Sequence, residues 1–178
     1  MIYTTHYDSP LGPLYLAGDE KALVGAWFEG QKYFARTRPA DHREGETAAL
    51  QQVKVWLDRY FGGEKPTVEG LPLAPGGSSF QQTIWQLLLE IPYGKVTTYG
   101  QLGKEAARRL GRETMSAQAV GGAVGHNPIS VIIPCHRVVG SNGSLTGYAG
   151  GLDIKIALLE REGVDMGRLY RPKKGTAI

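Results

Sequence analysis

A single cysteine is the most reactive side chain that this sequence offers. Cys135 lies in the segment NPISVIIPCHRVVG, residues 127–140, and is followed directly by His136 and Arg137. The thiolate, not the thiol, is the nucleophilic form of cysteine, and a neighbouring imidazole can accept or relay the proton. A lone cysteine is often an inert buried side chain, but the adjacent base and guanidinium favour covalent chemistry at this sulfur.

The backbone around Cys135 decides whether the histidine can reach it. The apolar segment 129–133 reads as a strand that Pro134 ends. Adjacent residues on a straight strand point to opposite faces. His136 therefore reaches the thiol only if the chain turns there or if a water bridges the two groups.

The histidine also needs a third group that orients it. A helix is predicted over LDIKIALLEREG, residues 152–163. The carboxylates on or beside it are Asp153, Glu160 and Glu162. Spacing along the chain does not select among these three.

A glycine-rich loop, GSNGSLTGYAGG at residues 140–151, joins the thiol segment to this helix. Asn142-Gly143 is a turn signal, and the further glycines permit backbone angles that other residues avoid. Such a loop can wall a pocket with backbone N–H and C=O groups, and it presents Tyr148.

Composition is that of a folded protein, with 42% hydrophobic and 21% charged residues in 178. No run approaches the roughly 20 apolar residues of a membrane helix, and the N-terminus lacks the layout of a secretory signal. One cysteine allows no internal disulfide and no multi-cysteine zinc cluster. We expect a reducing, cytoplasmic location and no membrane association.

The segment LPLAPGGSS, residues 71–79, predicts a domain boundary, because its prolines and glycines break regular structure. We divide the chain into domains 1–78 and 79–178. The first carries 8 Lys and Arg against 10 Asp and Glu, and the second 12 against 7. This asymmetry suggests that only the second domain meets a polyanion, although a solvated surface would give the same counts.

The first domain reads as strands followed by a helix. Leu14 and Leu16 alternate with Tyr15 in a hairpin whose turn is GDEKA, residues 18–22. Apolar residues spaced by three or four predict an amphipathic helix over 47–61, ended by two glycines. We expect a small α/β support domain without a catalytic constellation.

The second domain reads as mainly helical. Ser79 and Gln82 fit a capping box that opens a helix ending before Pro92, and Thr98 and Gln101 fit a second box. The helix that follows ends at Gly111, which suits a left-handed cap. A third helical piece begins four residues later, at 116–125, and the pair predicts a helix-turn-helix.

The third piece occupies the recognition position of that motif, and its side chains are very small. Gln118 is its only long polar side chain. Small residues suit either tight packing against another helix or a close approach to a groove wall, with little reading of base sequence. The nearby cations placed to meet phosphates are Lys95, Lys104, Arg108, Arg109 and Arg112.

Together these segments resemble a known family, the O6-alkylguanine-DNA alkyltransferases, or methylated-DNA–protein-cysteine S-methyltransferases. The resemblance rests on IPCHRVVG, on NP eight residues before the cysteine, on TGYAGG, and on IPYGKVTTYGQL and AVGGAVGHNP. It covers about residues 80–163 strongly and is weaker before them, in SPLGPLYLA and WFEGQKYF. It implies an N-terminal domain like ribonuclease H and a helix-turn-helix that binds double-stranded DNA in the minor groove.

The resemblance also implies a reaction. The damaged guanine is flipped into a pocket, and its O6-alkyl group moves irreversibly to the cysteine, once per molecule; O4-alkylthymine is a further possible substrate. No cofactor takes part, and the protein is expected to be a monomer in the absence of DNA. The catalytic positions implied are Cys135, His136, Glu162, Asn127 and Tyr99, and those contacting substrate or DNA are Gln118, Ala117, Ala119, Gly121, Arg137, Val138, Tyr148 and Ala149.

Individual roles follow the same resemblance. Cys135 would be the acceptor, His136 would activate it through a water, and Glu162 would hold His136. Asn127 would tie the helix-turn-helix to the active-site turn, and Tyr99 would help rotate the nucleotide and protonate the leaving base. Tyr148 would wall the pocket, while the backbone of Val138 and Ala149 would contact the base edge. For Arg137 we infer a structural role.

The sequence departs from the family at two places. Gln118 stands where many relatives carry an arginine that enters the base stack, and no cysteine precedes residue 135 to build the zinc site that some relatives have in the first domain. Two alternatives remain open: a sensor that binds alkylated DNA without chemistry, and a cysteine hydrolase. The presence of Cys135 argues against the first, and the helix-turn-helix pattern argues against the second.

Overall fold

The computed structural model describes residues 1–172 of the chain. The last six residues of the predicted second domain, 173–178, lie outside this range. The described residues fold into two compact units: the first contains residues 1–76 together with 128–130, and the second contains 77–127 and 131–172. The predicted architecture, an α/β unit followed by a mainly helical unit, is confirmed, and the position of the boundary at 78/79 is kept as a proposal.

A four-stranded sheet forms the first unit. Its strands are β1 (Ile2–Ser9), β2 (Gly12–Gly18), β3 (Leu23–Phe28) and β4 (His42–Glu44), in the order β3-β2-β1-β4. The first three are antiparallel neighbours, and β4 runs parallel to β1. The predicted turn between β2 and β3 is present, closed by a hydrogen bond from Asp19 N to Ala22 O of 3.0 Å.

Helix α1 (Ala48–Phe61) covers one face of this sheet. Thr47 caps its N-terminus by accepting a hydrogen bond from Leu50 N, and Gly62 caps its end. The buried residues on its apolar face are Ala49, Leu50, Val53, Trp56, Leu57 and Tyr60. The helix predicted over 47–61 is therefore confirmed to within one residue.

Both faces of strand β2 are buried, which the alternating pattern did not indicate. Leu14 and Leu16 are fully buried, but Tyr15 between them is also buried, in a cluster with Ala17 and Trp27. A tyrosine reads as a solvent-facing position in a sequence because its hydroxyl can face water. Here Arg38 donates to that hydroxyl at 2.7 Å, so the ring is buried while its polar end keeps a partner.

The second unit contains four helices and a short two-stranded sheet. Its helices are α2 (Ser79–Leu89), α3 (Tyr99–Leu110), α4 (Ala117–Gly125) and α5 (Leu152–Arg161), and its strands are β5 (Thr97–Thr98) and β6 (Val138–Val139). Short 3-10 turns lie at Cys135–Arg137 and Met166–Arg168. Helices α2, α3 and α4 pack against one another. Among residues 1–172, no helix is long and apolar enough to span a membrane.

Helix caps in this unit follow the sequence, with one shift. The capping box of α2 is formed by Ser78 and Gln81, so the box predicted at Ser79 and Gln82 is wrong by one residue. Both pairs have the same Ser-x-x-Gln spacing, and the local pattern could not separate them. The predicted box at Thr98 and Gln101 opens α3 as expected.

The strand predicted over 129–133 does not form. Ile129 makes one isolated bridge to Ala26 within the first unit, and Val131 has a left-handed backbone angle (φ 70°) that no regular strand permits. The segment is apolar because all of it is buried, and a buried irregular segment cannot be told from a strand by composition.

Candidate active site

A tight turn of the backbone carries the thiol. Cys135–Arg137 form a single 3-10 turn in which Cys135 N donates to Ile133 O at 2.8 Å and Arg137 N donates to Pro134 O at 3.0 Å. The turn runs directly into β6, which is held in parallel register by β5. The chain therefore bends where the sequence required it to, and Cys135 is buried, with 5% of its surface exposed.

A buried glutamate, Glu162, organises the two residues that follow the thiol. Its Oε2 atom lies 2.7 Å from His136 Nε2, and its Oε1 atom accepts from Arg137 Nε at 2.7 Å. Of the three carboxylates that spacing left open, Glu162 is thus the one that holds the histidine. Asp153 and Glu160 are exposed, and Asp153 pairs with Arg171.

The arginine of the turn is engaged entirely within the unit. Arg137 also donates from Nη2 to Glu162 Oε2 at 3.1 Å and from Nη1 to Ile91 O at 2.6 Å, and its guanidinium lies 5.7 Å from the Tyr93 ring. Gly94 N adds a longer hydrogen bond of 3.4 Å to Glu162. These contacts agree with the structural role inferred for Arg137.

These contacts set the charge of the histidine and the glutamate. Burial would raise the pKa of Glu162, but the hydrogen bonds from His136 and Arg137 and the positive charge of Arg137 outweigh it and hold this pKa well below its usual range. Burial lowers the pKa of His136 although Glu162 opposes the shift. The imidazole is therefore neutral at rest, with its Nε2 proton directed at the carboxylate.

The other ring nitrogen of His136 is then an acceptor. Within residues 1–172, His136 Nδ1 is buried and has no hydrogen-bond partner. A neutral imidazole whose far nitrogen donates to a carboxylate is the arrangement of a general base. Nδ1 is thus the atom that can accept the thiol proton, directly or through a water.

The thiol itself is protonated at rest. Burial raises the pKa of Cys135, while a hydrogen bond with the Asn127 side chain and the positive charge of Lys155 lower it. Asn127 also donates from Nδ2 to Ile133 O at 2.8 Å. It therefore fixes the backbone immediately before the turn as well as contacting the sulfur.

Two tyrosines border this site. The Tyr99 hydroxyl donates to the backbone oxygens of Thr146 and Gly147 at 3.2 and 3.3 Å, and burial raises its pKa above the usual range. The Tyr148 ring meets the His136 ring edge-on, with centroids 6.4 Å apart. The loop 140–151 is therefore in contact with both α3 and the turn that carries the thiol.

The remaining predicted positions separate into buried and exposed sets. Val138 is fully buried in β6, and Ala149 is half-buried in the loop. On α4, which Ser116 caps, the exposed positions are Ala117, Gln118 and Ala119. Gly121 is buried one turn further along the helix, so the structure does not place it among these exposed positions.

The predicted phosphate-binding cations also separate. Arg109 makes a bidentate pair with Glu90, at 2.7 and 2.8 Å, and Arg108 pairs with Glu105. Both arginines therefore already have carboxylate partners. Of the five predicted cations, Lys95, Lys104 and Arg112 are exposed and form no ion pair with residues 1–172.

One functional candidate was missed by sequence reasoning. Lys155 is fully buried in α5, although lysine is almost never buried without a partner. A signal was present, because Lys155 lies three residues after Leu152 and three or four before Leu158 and Leu159, on the apolar stripe of the helix. The lysine was overlooked because its charge reads as a solvent-facing position.

Known proteins resemble this chain over nearly its whole length. Residues 79–164 match the family model described as the DNA binding domain of 6-O-methylguanine DNA methyltransferase, and residues 2–75 match its ribonuclease-like domain. A methylated-DNA–protein-cysteine methyltransferase of Haemophilus influenzae is 44% identical over 161 residues, covering 90% of this chain and 86% of the relative. One from Methanosarcina acetivorans is 42% identical, covering 91% and 99%.

Solved structures lead to the same family. The crystal structure of a Mycobacterium tuberculosis O6-methylguanine methyltransferase matches with a TM-score of 0.74 and 40% identity, over 98% of this chain and 97% of that one. A Mycobacterium tuberculosis OGT in complex with DNA matches with the same score and identity, over 94% of each chain. The chain therefore belongs to the methylated-DNA–protein-cysteine methyltransferase family, in which the ribonuclease-like domain precedes the DNA-binding domain.

Proposed function

We propose that this protein repairs alkylated DNA by moving the alkyl group from O6-alkylguanine to the Sγ atom of Cys135. The observation that carries the proposal is the buried chain of contacts from Glu162 to His136 on the same turn as the thiol. A neutral imidazole with an accepting Nδ1 beside a protonated thiol is what an activated sulfur nucleophile requires.

Each group then has a role in an in-line displacement at carbon. His136 Nδ1 takes the proton from Cys135, through a water or directly, and Glu162 stabilises the imidazolium that forms. The thiolate attacks the alkyl carbon, a C–S bond forms, and the C–O bond breaks with its electron pair going to O6 of the base. Tyr99 supplies a proton to the guanine, which stays in the DNA strand, and the proton taken up by His136 returns to Tyr99 through water.

Before it can meet the base, the Tyr99 hydroxyl must leave the loop oxygens that it now holds. These are neutral carbonyl groups of Thr146 and Gly147 at 3.2 and 3.3 Å, so the exchange replaces ordinary hydrogen bonds. The backbone groups of Val138 and Ala149 then meet the base edge, and Tyr148 walls the pocket.

The product explains why each molecule works once. A thioether has no leaving group that water readily displaces, so the alkylated Cys135 is not regenerated. The reaction is therefore stoichiometric and irreversible. By the same chemistry O4-alkylthymine, with an alkyl group on an equivalent oxygen, is a further substrate.

Helices α3 and α4 are proposed to form the helix-turn-helix that enters the minor groove of double-stranded DNA. The side chains of Ala117 and Ala119 are exposed and small, so they allow close approach, and Gln118 is the side chain long enough to occupy the space of a flipped base. Flipping costs a few kcal/mol, less for a weakly paired damaged base. Lys95, Lys104 and Arg112 supply phosphate contacts. The domain of residues 1–78 supports the DNA-binding domain of residues 79–178. In the absence of DNA the protein is a monomer.

Mass spectrometry of the intact protein tests the proposal. After mixing with a duplex that contains O6-methylguanine, we expect one added methyl group, mapped to Cys135, and restored guanine in the DNA. The Cys135→Ala variant should bind the same duplex and leave the lesion in place. If the lesion disappears while Cys135 still titrates as a free thiol, or if one molecule repairs several lesions, the proposal is wrong.

A further inference from the structure

Lys155 is a buried cation that the mechanism above does not use. None of its surface is exposed, and its ammonium donates to Val138 O at 2.6 Å and to Thr146 O at 2.8 Å. These two carbonyls belong to different segments: the first is in β6, directly after the thiol turn, and the second is in the loop 140–151. One side chain from α5 thus joins the two segments that border the thiol.

This ammonium has no carboxylate partner. Among residues 1–172, no ion pair includes Lys155, and both of its recorded acceptors are neutral carbonyl oxygens. The nearby carboxylate, Glu162, is already shared by His136 and Arg137. A buried charge without a counter-charge is costly, so its retention calls for a specific role.

The group that can supply the missing negative charge is Cys135. The positive charge of Lys155 favours the thiolate, and the thiolate in turn favours protonated lysine. The other titratable group that faces the ammonium is His136, on the same turn, and it is neutral at rest. From α3, Tyr99 shares the Thr146 oxygen with the lysine and is also uncharged.

We propose that Lys155 is a positioning residue of the alkyl-transfer site, tying the loop 140–151 to β6 and acting as the counter-charge of the Cys135 thiolate. The inference rests on the proposed function and extends it. The two halves of the role depend on the same ammonium, because its hydrogen bonds fix where the charge lies and its charge favours ionisation of the sulfur.

The arrangement explains how the pocket wall stays ordered during the reaction. Tyr99 and Lys155 both hold the Thr146 oxygen, one from α3 and the other from α5. When Tyr99 turns to the base, the lysine keeps the loop attached to β6. Burial lowers the pKa of Lys155 to about 8, so the ammonium is present at neutral pH.

The test compares Lys155→Met, which keeps the length of the side chain but removes the charge, with Lys21→Met, the same change at an exposed lysine of the first unit. The rate at which iodoacetamide alkylates Cys135 is measured from pH 5 to 10 by mass spectrometry. A nearby opposite charge shifts a pKa by about 1–3 units. We therefore expect the midpoint of Lys155→Met to rise by that amount, with alkylation about 10- to 1,000-fold slower at pH 7, and Lys21→Met to match the parent.

Hydrogen exchange separates this role from simple packing. Amides of residues 140–151 should exchange faster in Lys155→Met, while those of α1 in the first unit keep the parent's protection. An unchanged midpoint for Cys135 alkylation would overturn the counter-charge, and unchanged exchange in the loop would overturn the tie. Neither readout uses alkylated DNA, so both remain valid if the proposed repair reaction is wrong.

A second measurement needs no substitution at 155, in case Lys155→Met does not fold. The titration of the Lys155 ammonium is followed by NMR in the parent and after Cys135 has been methylated chemically. Methylation prevents the sulfur from ionising as the pH rises, so the negative charge that favours protonated lysine cannot form and the lysine midpoint should fall. Equal midpoints in the two samples would contradict the proposal.

Discussion

Replacing Glu162 by glutamine isolates the charge at the centre of the site while keeping its shape. The carboxylate accepts four hydrogen bonds: from His136 Nε2 and Arg137 Nη2 on one oxygen, and from Arg137 Nε and Gly94 N on the other. A glutamine amide has one acceptor oxygen and one NH₂ group. Whichever way it is oriented, two of these donors face another donor.

The magnitude follows from the charge left behind. Removing one partner of a buried ion pair costs about 3–5 kcal/mol, because the other charge stays buried without compensation. Here that charge is Arg137, whose remaining acceptor is Ile91 O. For a protein of this size 1 kcal/mol shifts the melting temperature by about 2–4 °C. We therefore expect Glu162→Gln to melt about 6–20 °C below the parent.

The same substitution should abolish base catalysis. If NH₂ faces His136, the ring can satisfy it only by placing its proton on Nδ1, and Nδ1 then cannot accept the proton of the thiol. Reaction with free O6-benzylguanine should fall by about 10²–10⁴-fold, the usual contribution of a general base. Because this substrate has no DNA, the rate reports on the pocket alone.

Glu160→Gln is the matched control, since Glu160 is an exposed glutamate two residues earlier on the same helix. Scanning calorimetry and the rate with O6-benzylguanine are measured for both variants and the parent. The control should match the parent in both. If Glu162→Gln also melts within 2 °C of the parent and reacts at its rate, the reasoning about the buried charge is refuted.

Three further predictions concern pH, the recognition helix and a helix end. In the unfolded chain His136 binds a proton below about pH 6.5 and Glu162 below about pH 4.3, whereas the pKa of each group is lower in the folded protein. The free energy of unfolding should therefore fall as the pH drops through these values. Denaturant unfolding from pH 8 to 4 measures this, and a stability independent of pH would contradict it. Gln118→Arg should leave the rate with free O6-benzylguanine nearly unchanged and alter the rate on duplex DNA; equal effects on both would show that Gln118 acts on the pocket. Gly111 has a left-handed backbone angle (φ 67°), so Gly111→Ala should cost about 1 kcal/mol of stability and lower the melting temperature by about 2–4 °C. An unchanged melting temperature would mean that the helix end relaxes.

Local signals in the sequence determined much of this protein. Helix α1, the capping box of α3 and the left-handed glycine at its end were all predicted from residues a few positions apart. The motif around Cys135 was specific enough to identify the family, and the family models confirm it. These features depend on neighbours along the chain, so the order of residues is sufficient to specify them.

Only the tertiary structure selected the partner of the histidine. Spacing left Asp153, Glu160 and Glu162 as equals, and packing buried Glu162 against the turn while leaving the other two exposed. The resemblance had pointed to the same residue, but no distance along the chain contains that information. A hydrogen bond between residues 26 positions apart depends on how α5 packs against the turn.

The same physical reason accounts for what sequence reasoning got wrong or missed. The segment 129–133 reads as a strand because composition records burial and not backbone angle, and Val131 adopts an angle that no strand permits. Lys155 reads as a surface residue because its charge usually belongs in water, yet two carbonyls distant in the sequence hold it in the interior. The amino-acid sequence specified the reactive residues and the helices. Packing in three dimensions brought distant groups together and decided which charges are buried, and that burial changes their pKa values.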